Sequence, residues 1–303
     1  MASSLTENKG QIITRQGDRL IVSPSSRTVE QPTTIRCAQR KKLPPLTVGD
    51  WVRWEPSGDN EGVITLLEKR KSLLTRPDPF NQRKKPIAAN VDQLIIVTAP
   101  EPGIDLLQID RILVAAESIP IPSILVINKL DLLSQDEKIE LKEKLLHYKN
   151  LELPLLWIST KITGGVDPLQ QQLEGKSSVL VGPSGGGKSS IIKSLLPDLD
   201  IAVGALSEGI GQGRHTTSVS TLYHLQNGGT LIDSPGIREF GIWDLDEETL
   251  RNGFREFGHY AGMCRFSNCR HLNEPGCAVS AAVESGELSA TRVENYRNLI
   301  QNQ

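Results

Sequence analysis

A basic small β-barrel, an α/β unit built on a mainly parallel sheet, and a helical tail around a Cys/His cluster are expected, in that order, along this 303-residue chain. Three observations carry the expectation. Residues 1–91 hold five short candidate strands separated by turn residues, and residues 92–245 alternate apolar strands with amphipathic helices. Residues 246–303 gather three of the four cysteines.

The first unit reads from GQIITRQ, DRLIVS, TTIRCAQ, DWVRWEP and EGVITLLEKR, five strands of the kind that close an OB-type barrel. Its charge points the same way. Residues 1–91 carry 16 Lys and Arg against 9 Asp and Glu, leaving 18 against 27 in the remainder. Lysines and arginines that neutralise phosphates release counterions, so a basic first third attached to an acidic remainder makes the barrel an RNA-binding candidate. The segment TRPDPFNQRKKPIAANVD, with three prolines and a basic run, is expected to be a linker.

The second unit alternates DQLIIVTAP, helix LQIDRILVAAESI, SILVINK, helix DEKIELKEKLLHYKN, LPLLWIST, SSVLVG and helix KSSIIKSLL. The third has ETLRNGFREF and SATRVENYRNLI as helix candidates. Hydrophobic residues make up 38% and charged residues 23% of the chain, the balance of a soluble globular protein, and no stretch reaches the length of a bilayer span. The amino terminus has no apolar signal-peptide core, so a cytoplasmic protein with no membrane partner is expected.

The strongest single motif is Gly182-Pro183-Ser184-Gly185-Gly186-Gly187-Lys188-Ser189, which fits the phosphate-loop pattern GxxxxGK(S/T) and stands between an apolar strand and a helix. Glycines let successive N–H groups turn toward one anion. The following helix, continuing through Ser190, presents its positive end, Lys188 reaches the β and γ phosphates, and Ser189 is a candidate Mg²⁺ ligand.

A phosphate loop does not separate ATP from GTP. Asn128-Lys129-Leu130-Asp131 does, because it ends the strand SILVI and fits the guanine-reading pattern NKxD. The Asp131 carboxylate can accept from both N1–H and the 2-amino group of guanine, a donor pair that adenine lacks. An ATP-dependent enzyme is the reading this argues against. Ser159-Thr160-Lys161, ending LPLLWI, is like the further loop that touches the base in such proteins.

Asp233-Ser234-Pro235-Gly236 fits DxPG, in which the carboxylate holds the Mg²⁺ shell and the Gly236 N–H can sense the γ-phosphate. Between the phosphate loop and DxPG lies Gly213-Arg214-His215-Thr216-Thr217, a polar segment with the character of a mobile switch. Thr216 or Thr217 would supply a Mg²⁺ ligand, with Thr217 preferred. Position 237 is Ile, where small GTPases have the glutamine that orients water. His215 is therefore the catalytic candidate.

In the usual order the phosphate loop and switches precede NKxD; here NKLD at 128 and STK at 159 come first. The unit is circularly permuted, which the sheet tolerates because the ligand loops keep their places while the chain breaks move. The chain leaving the second switch runs through REFGIWDLDEE into the tail, so loss of γ-phosphate is expected to alter the tail's docking. In that tail Cys264, Cys269, His271 and Cys277 supply three thiolates and one imidazole within 14 residues, the ligand set of a closed structural Zn²⁺ site. Cys37 is isolated and is expected to be an ordinary barrel residue.

Together, permuted NKLD/STK/GPSGGGKSS/GRHTT/DSPG, the following Cys/His run and the preceding basic barrel resemble the ribosome small subunit-dependent GTPase A family. The resemblance covers most of the chain. It implies a multidomain architecture of an N-terminal OB-type β-barrel (1–91), a central α/β P-loop GTPase domain in permuted order (92–245) and a C-terminal helical zinc-binding domain (246–303). It further implies hydrolysis of GTP to GDP and phosphate, stimulated by the small ribosomal subunit during that subunit's late maturation. Mg²⁺ would accompany GTP, one Zn²⁺ would be structural, and the partners would be the small subunit and its rRNA, with the chain itself monomeric. Pro183 and Gly186 depart from the Gln and Val expected there, changing loop stiffness without removing a phosphate-binding group. Two other readings remain open: a nucleotide-gated RNA-binding assembly factor with negligible unaided hydrolysis, and a GTPase acting on another RNA assembly.

Overall fold

The computed structural model describes residues 8–25, 34–77, 84–119, 121–197, 220–234 and 246–302. The first five strands are β1 (Asn8–Gln16), β2 (Arg19–Pro24), β3 (Ile35–Gln39), β4 (Trp51–Gly58) and β5 (Glu61–Leu67). They run in the order β1-β2-β3-β5-β4, and β4 returns to pair antiparallel with β1 through Asn8–Gln11, closing the barrel. Alternation of side chains places Ile12, Leu20, Val22, Ile35, Val52, Trp54 and Ile64 in its interior. Cys37 is buried there too, as expected of a barrel residue.

A bulge in β1 at Ile13 divides that strand between two cores: Ile12 faces the barrel interior, whereas Ile13 packs into the core of the central sheet. The expected linker at 75–92 is different from its reading. It contains most of a hairpin, β6 (Leu73–Pro77) with β7 (Lys84–Ala89), whose Leu74, Ile87 and Ala88 are buried in the central core and whose Ala88 bridges Val48. Pro77 and Pro86 are compatible with it because a two-stranded ribbon leaves each strand an edge that needs no donor.

The central strands are β8 (Gln93–Thr98), β9 (Ser123–Ile127), β10 (Leu155–Trp157), β11 (Ser177–Val181), β12 (Ser220–His224) and β13 (Thr230–Asp233). Their order is β10-β9-β8-β11-β13-β12, parallel except for β12, and β12 pairs onward with β1 of the barrel. Helices α1 (Leu106–Glu117), α2 (Gln135–Lys144), α3 (Leu146–Asn150), α4 (Asp167–Leu173) and α5 (Lys188–Leu195) cover it. The near-continuous apolar run of β8 splits by strand alternation. Leu94 and Ile96 join Ile109, Ile112 and Tyr148 on one face, while Ile95 and Val97 join Leu169, Ile191 and Ile192 on the other. The helix expected over 136–150 is interrupted at Leu145 and forms α2 and α3. α2 buries no residue and starts on a Ser134–Glu137 capping box, which explains how so charged a segment is helical.

The carboxy-terminal part contains α6 (Glu247–Gly253), a 3₁₀ segment Arg255–Tyr260, α7 (Ala278–Glu284) and α8 (Ala290–Gln301). Leu250, Phe254, Phe257, Val279, Val293 and Tyr296 form its core together with Val114 of α1, so it is built onto the central unit. Beside that apolar seam lies a buried polar one. Asp110 of α1 accepts from Arg292 Nη1 (2.6 Å), Asn295 Nδ2 (2.6 Å) and Tyr148 OH (2.6 Å), and Arg292 also donates from Nε to Glu256 (2.8 Å). Among the described residues, no helix is long and apolar enough to cross a membrane.

Candidate nucleotide site and Cys/His cluster

The chain passes from central β8 to β9 on one side and later to β11 on the other, and the crevice beyond the carboxyl ends of such strands is where parallel sheets bind ligands. Residues 182–187 leave β11 there and enter α5. Gly182 (φ 126°) lies against the Val97 carbonyl and Gly187 (φ 94°) against Asn128 Nδ2, so closely that a Cβ at either would collide. Glycine is required at both by conformation and by space.

Asn128, directly after β9, is fully buried and donates from Nδ2 to the Gly186 carbonyl at 3.1 Å. The base loop thereby braces the phosphate loop, although 58 residues separate them. Lys129 takes a left-handed conformation (φ 62°) and donates from Nζ to the Glu101 carbonyl at 2.9 Å. Leu130 opens a 3₁₀ turn whose N–H meets the Ile158 carbonyl at 3.2 Å. Asp131 is exposed at the mouth and accepts from the Ser159 hydroxyl, which itself accepts from the Lys161 N–H at 3.1 Å. Ser159, Thr160 and Lys161 are thus brought to NKLD as a second wall, a juxtaposition that the short SxK string could only suggest.

Lys188 Nζ donates to the carbonyls of Gly182 (2.7 Å) and Pro183 (2.6 Å), closing the loop on itself. A cleft of about 510 Å³ lies over it, lined by Lys129, Gly182, Pro183, Ser184, Gly185, Gly187, Lys188, Ser189 and Ser190. Gln108 of α1 also lines the cleft. It carried no motif, because it reaches the cleft only when α1 is set beside the phosphate loop. Asp233 ends β13, and Ser234 is buried beyond it. His215, Thr216, Thr217 and Gly236, like the connection at 235–245, lie outside the described residues.

At the other end of the chain, ligand atoms of Cys264, Cys269, His271 and Cys277 all lie within 4.8 Å of one another. The His271 Nδ1 atom stands 3.6 Å from the sulfurs of Cys264 and Cys269 and 3.4 Å from that of Cys277. Burial opposes ionisation of Cys277, but N–H groups of Ser280 and Val279 at the start of α7 outweigh it and lower the pKa. Burial pushes the pKa of His271 down, favouring the neutral imidazole a metal requires. Around them the Ala278 N–H donates to Cys264 Sγ (3.3 Å), and Arg297 Nε holds the His271 carbonyl (3.0 Å). The cluster can hold a metal ion.

Residues 67–243, more than half of the chain, match the RsgA GTPase family. The chain belongs to that family. A small ribosomal subunit biogenesis GTPase RsgA of Hahella chejuensis is 46% identical over 293 residues, covering 96% of this chain and 83% of that one. The RsgA of Histophilus somni is 45% identical over 275 residues, covering 89% and 78%. The crystal structure of YjeQ from Thermotoga maritima superposes with a TM-score of 0.76 at 33% identity, over 98% of each chain. That of YloQ, titled a circularly permuted GTPase, superposes with a TM-score of 0.73 at 28% identity, over 100% of this chain and 96% of the other. RsgA family membership makes the protein a GTP-hydrolysing enzyme, and the likeness to YjeQ and YloQ extends to the barrel and the carboxy-terminal part.

Proposed function

We propose that this GTPase acts in late maturation of the small ribosomal subunit and that the subunit accelerates its hydrolysis of GTP. The observation that carries the reading of the pocket is the lacing of three distant segments. Asn128 holds Gly186 while Ser159 holds Asp131, so a guanine reader stands in register with a phosphate cradle. The partner is inferred from near full-length relatives named for small-subunit biogenesis.

In this reading Asp131 selects guanine through its two donors, Asn128 and Lys129 frame the base, and Leu130 seats the loop. Ser159, Thr160 and Lys161 complete the base wall. The N–H groups of Gly182 to Ser190 surround the phosphates, and Lys188 turns from its loop carbonyls to the β and γ oxygens. Ser189, Thr217 and Asp233 are the residues that would hold Mg²⁺, which neutralises phosphate charge when bound. Gly236 would sense the γ-phosphate, and His215 would orient the attacking water that position 237, an isoleucine, cannot.

The Cys/His cluster fits zinc. With Zn–S near 2.3 Å and Zn–N near 2.0 Å, a tetrahedron sets sulfur and nitrogen about 3.5 Å apart, which is the separation His271 makes with all three sulfurs. Three thiolates and an imidazole fill the coordination sphere, so the role is structural. We assign 1–91 to the barrel with the hairpin that follows it, 92–245 to the GTPase domain and 246–303 to the zinc domain, and place the protein in the cytoplasm as a monomer with rRNA contacts on the barrel.

The test is GTP turnover with purified small and large subunits supplied separately. Acceleration by the small subunit is expected. Equal acceleration by the large subunit, or none by either, overturns the assignment of partner, and normal turnover by Lys188→Ala overturns that of the site.

A further inference from the structure

Strand β1 belongs to two sheets at once. Its first half, Asn8–Gln11, pairs with β4 and closes the barrel; past the bulge at Ile13, Thr14 and Arg15 pair with Thr221 and Ser220 of β12. On its other edge β12 pairs with β13, Thr221 opposite Asp233. Three strands therefore place Thr14, Thr221 and Asp233 in one cross-strand row. The adjacent row holds Arg15, Ser220 and Ser234, and its last two members are joined directly, Ser220 Oγ to Ser234 Oγ at 2.6 Å.

These positions sit at sensitive points of the chain. Ser220 is the first residue of β12, directly after the stretch that carries Thr216 and Thr217, and Ser234 lies inside DxPG between Asp233 and Pro235. The hydroxyl pair ties the exit of the first switch to the entrance of the second. Ser234 is only 2% exposed, so losing its partner would leave a polar atom shut away from water. The barrel end of the row is anchored as well: Arg15 donates from Nε to the Gly17 carbonyl at 3.2 Å and from Nη1 to the Leu46 carbonyl, and Leu46 lines the barrel core. A shift of β12 therefore reaches the barrel wall through backbone pairing rather than through a flexible connection.

We propose that Ser220 and Ser234 are positioning residues for the phosphate site, and that their hydroxyl pair makes β1 of the barrel part of the switch. GTP bound beside Asp233 favours the Ser220–Ser234 pair and with it the pairing of β12 with β1; loss of the γ-phosphate weakens the pair and loosens the barrel's first strand. In the reverse direction, a polyanion that steadies the barrel favours the paired state of Ser220 and Ser234. The inference rests on the GTPase reading of the pocket and adds the route by which barrel and nucleotide sense each other.

The experiment is hydrogen exchange in residues 8–16 of the full-length protein, with a non-hydrolysable GTP analogue and with GDP, alongside steady-state kinetics. The native protein is expected to exchange β1 amides more slowly with the analogue, by about fivefold, the equilibrium worth of one neutral hydrogen bond. Ser234→Ala is expected to abolish that difference and lower kcat by a similar factor with little change in KM. Ser220→Ala is expected to do the same, and because Ser220 is half-buried it serves if Ser234→Ala folds poorly. Ser220→Thr keeps the hydroxyl and is expected to restore both readouts. Equal β1 exchange with the two nucleotides in the native protein, or an unchanged difference in both alanine variants, overturns the proposal. Absence of GTP binding by the native protein overturns the reading of the pocket instead.

Discussion

Replacing Arg292 by Met would test how the carboxy-terminal part is held to the GTPase unit. The Arg292 side chain is 4% exposed and the Asp110 side chain 0%, with Glu256 at 10%. Its guanidinium serves both carboxylates and lies 4.4 Å from the Phe254 ring centroid. Methionine keeps the apolar stem and removes the charge. Two carboxylates are then left without their cation in a site largely shut off from water, and breaking a buried pair in this way costs about 3–5 kcal/mol. The loss falls where α8 and the 3₁₀ segment meet α1, so it would first appear as local opening of residues 246–302. Hydrogen exchange and limited proteolysis of that region measure it, since a chain of several units need not unfold in one step. Asp110→Asn added to Arg292→Met removes one stranded charge; the new amide oxygen still accepts from Tyr148 OH, and its NH2 is matched once the Asn295 amide flips to accept, so recovery of about half the loss is expected, as coupled neighbours show. A single-variant loss below about 1 kcal/mol, or no recovery in the double variant, would refute the claim that the ion pair holds the two parts together.

Other outcomes follow from the same geometry. Cys277→Ser should lower bound zinc from one equivalent toward none, measured by elemental analysis, and raise exchange in residues 264–284 while GTP binding by the isolated protein changes little. Asp131→Ala should erase most discrimination between GTP and ATP in competition binding, by about 30–150-fold, since two hydrogen bonds to the base are lost at about 1–1.5 kcal/mol each. His147 has its pKa pushed down, chiefly by burial, against the attraction of Asp110. The unfolded chain therefore takes up its proton first, near pH 6.5. Stability from this group is full above that pH and declines as pH falls below it. As pH is taken from 8 to 5, the denaturant midpoint of the native protein should fall relative to that of His147→Phe; parallel curves would show that burial of His147 is immaterial.

What the sequence discloses and what it hides divides along the distance between interacting residues. The phosphate loop, NKLD and the Cys/His run are local strings, and each imposes its geometry within a few residues: Gly182 and Gly187 are glycines because neighbouring backbone and Asn128 leave no room for a Cβ. The barrel strands were legible for a similar reason, since alternation of apolar residues specifies which face of a strand is buried. The hairpin of β6 and β7 was not, because its prolines and basic run are what a linker also has, and only burial of Leu74 and Ile87 in the central core distinguishes the two. Asp110 and Arg292 are 182 residues apart, and nothing in a helix such as SATRVENYRNLI marks one arginine as buried rather than solvated. Pairing of β1 with β12 is hidden more deeply still, for a strand carries no local sign of the second sheet it enters.

That hidden pairing gives the permuted order a physical consequence. In this chain the strand between the switches is the edge of the nucleotide sheet, and its free edge would be an open template for pairing if β1 did not cover it. Covering it with a barrel strand protects the edge and, by the same hydrogen bonds, joins the barrel wall to β12. The carboxy-terminal part is committed to α1, whose Gln108 reaches the phosphate cleft, through Asp110 two residues further along the same helix. Both flanking parts thus meet the nucleotide unit on elements tied to its loops: β12, which pairs with the strand that ends at Asp233, and α1, whose Gln108 lines the cleft. A partner that engages barrel and tail together would press on the phosphate site from two directions. For an enzyme with isoleucine where a water-orienting glutamine is usual, that would give a physical reason for hydrolysis to depend on the proposed partner.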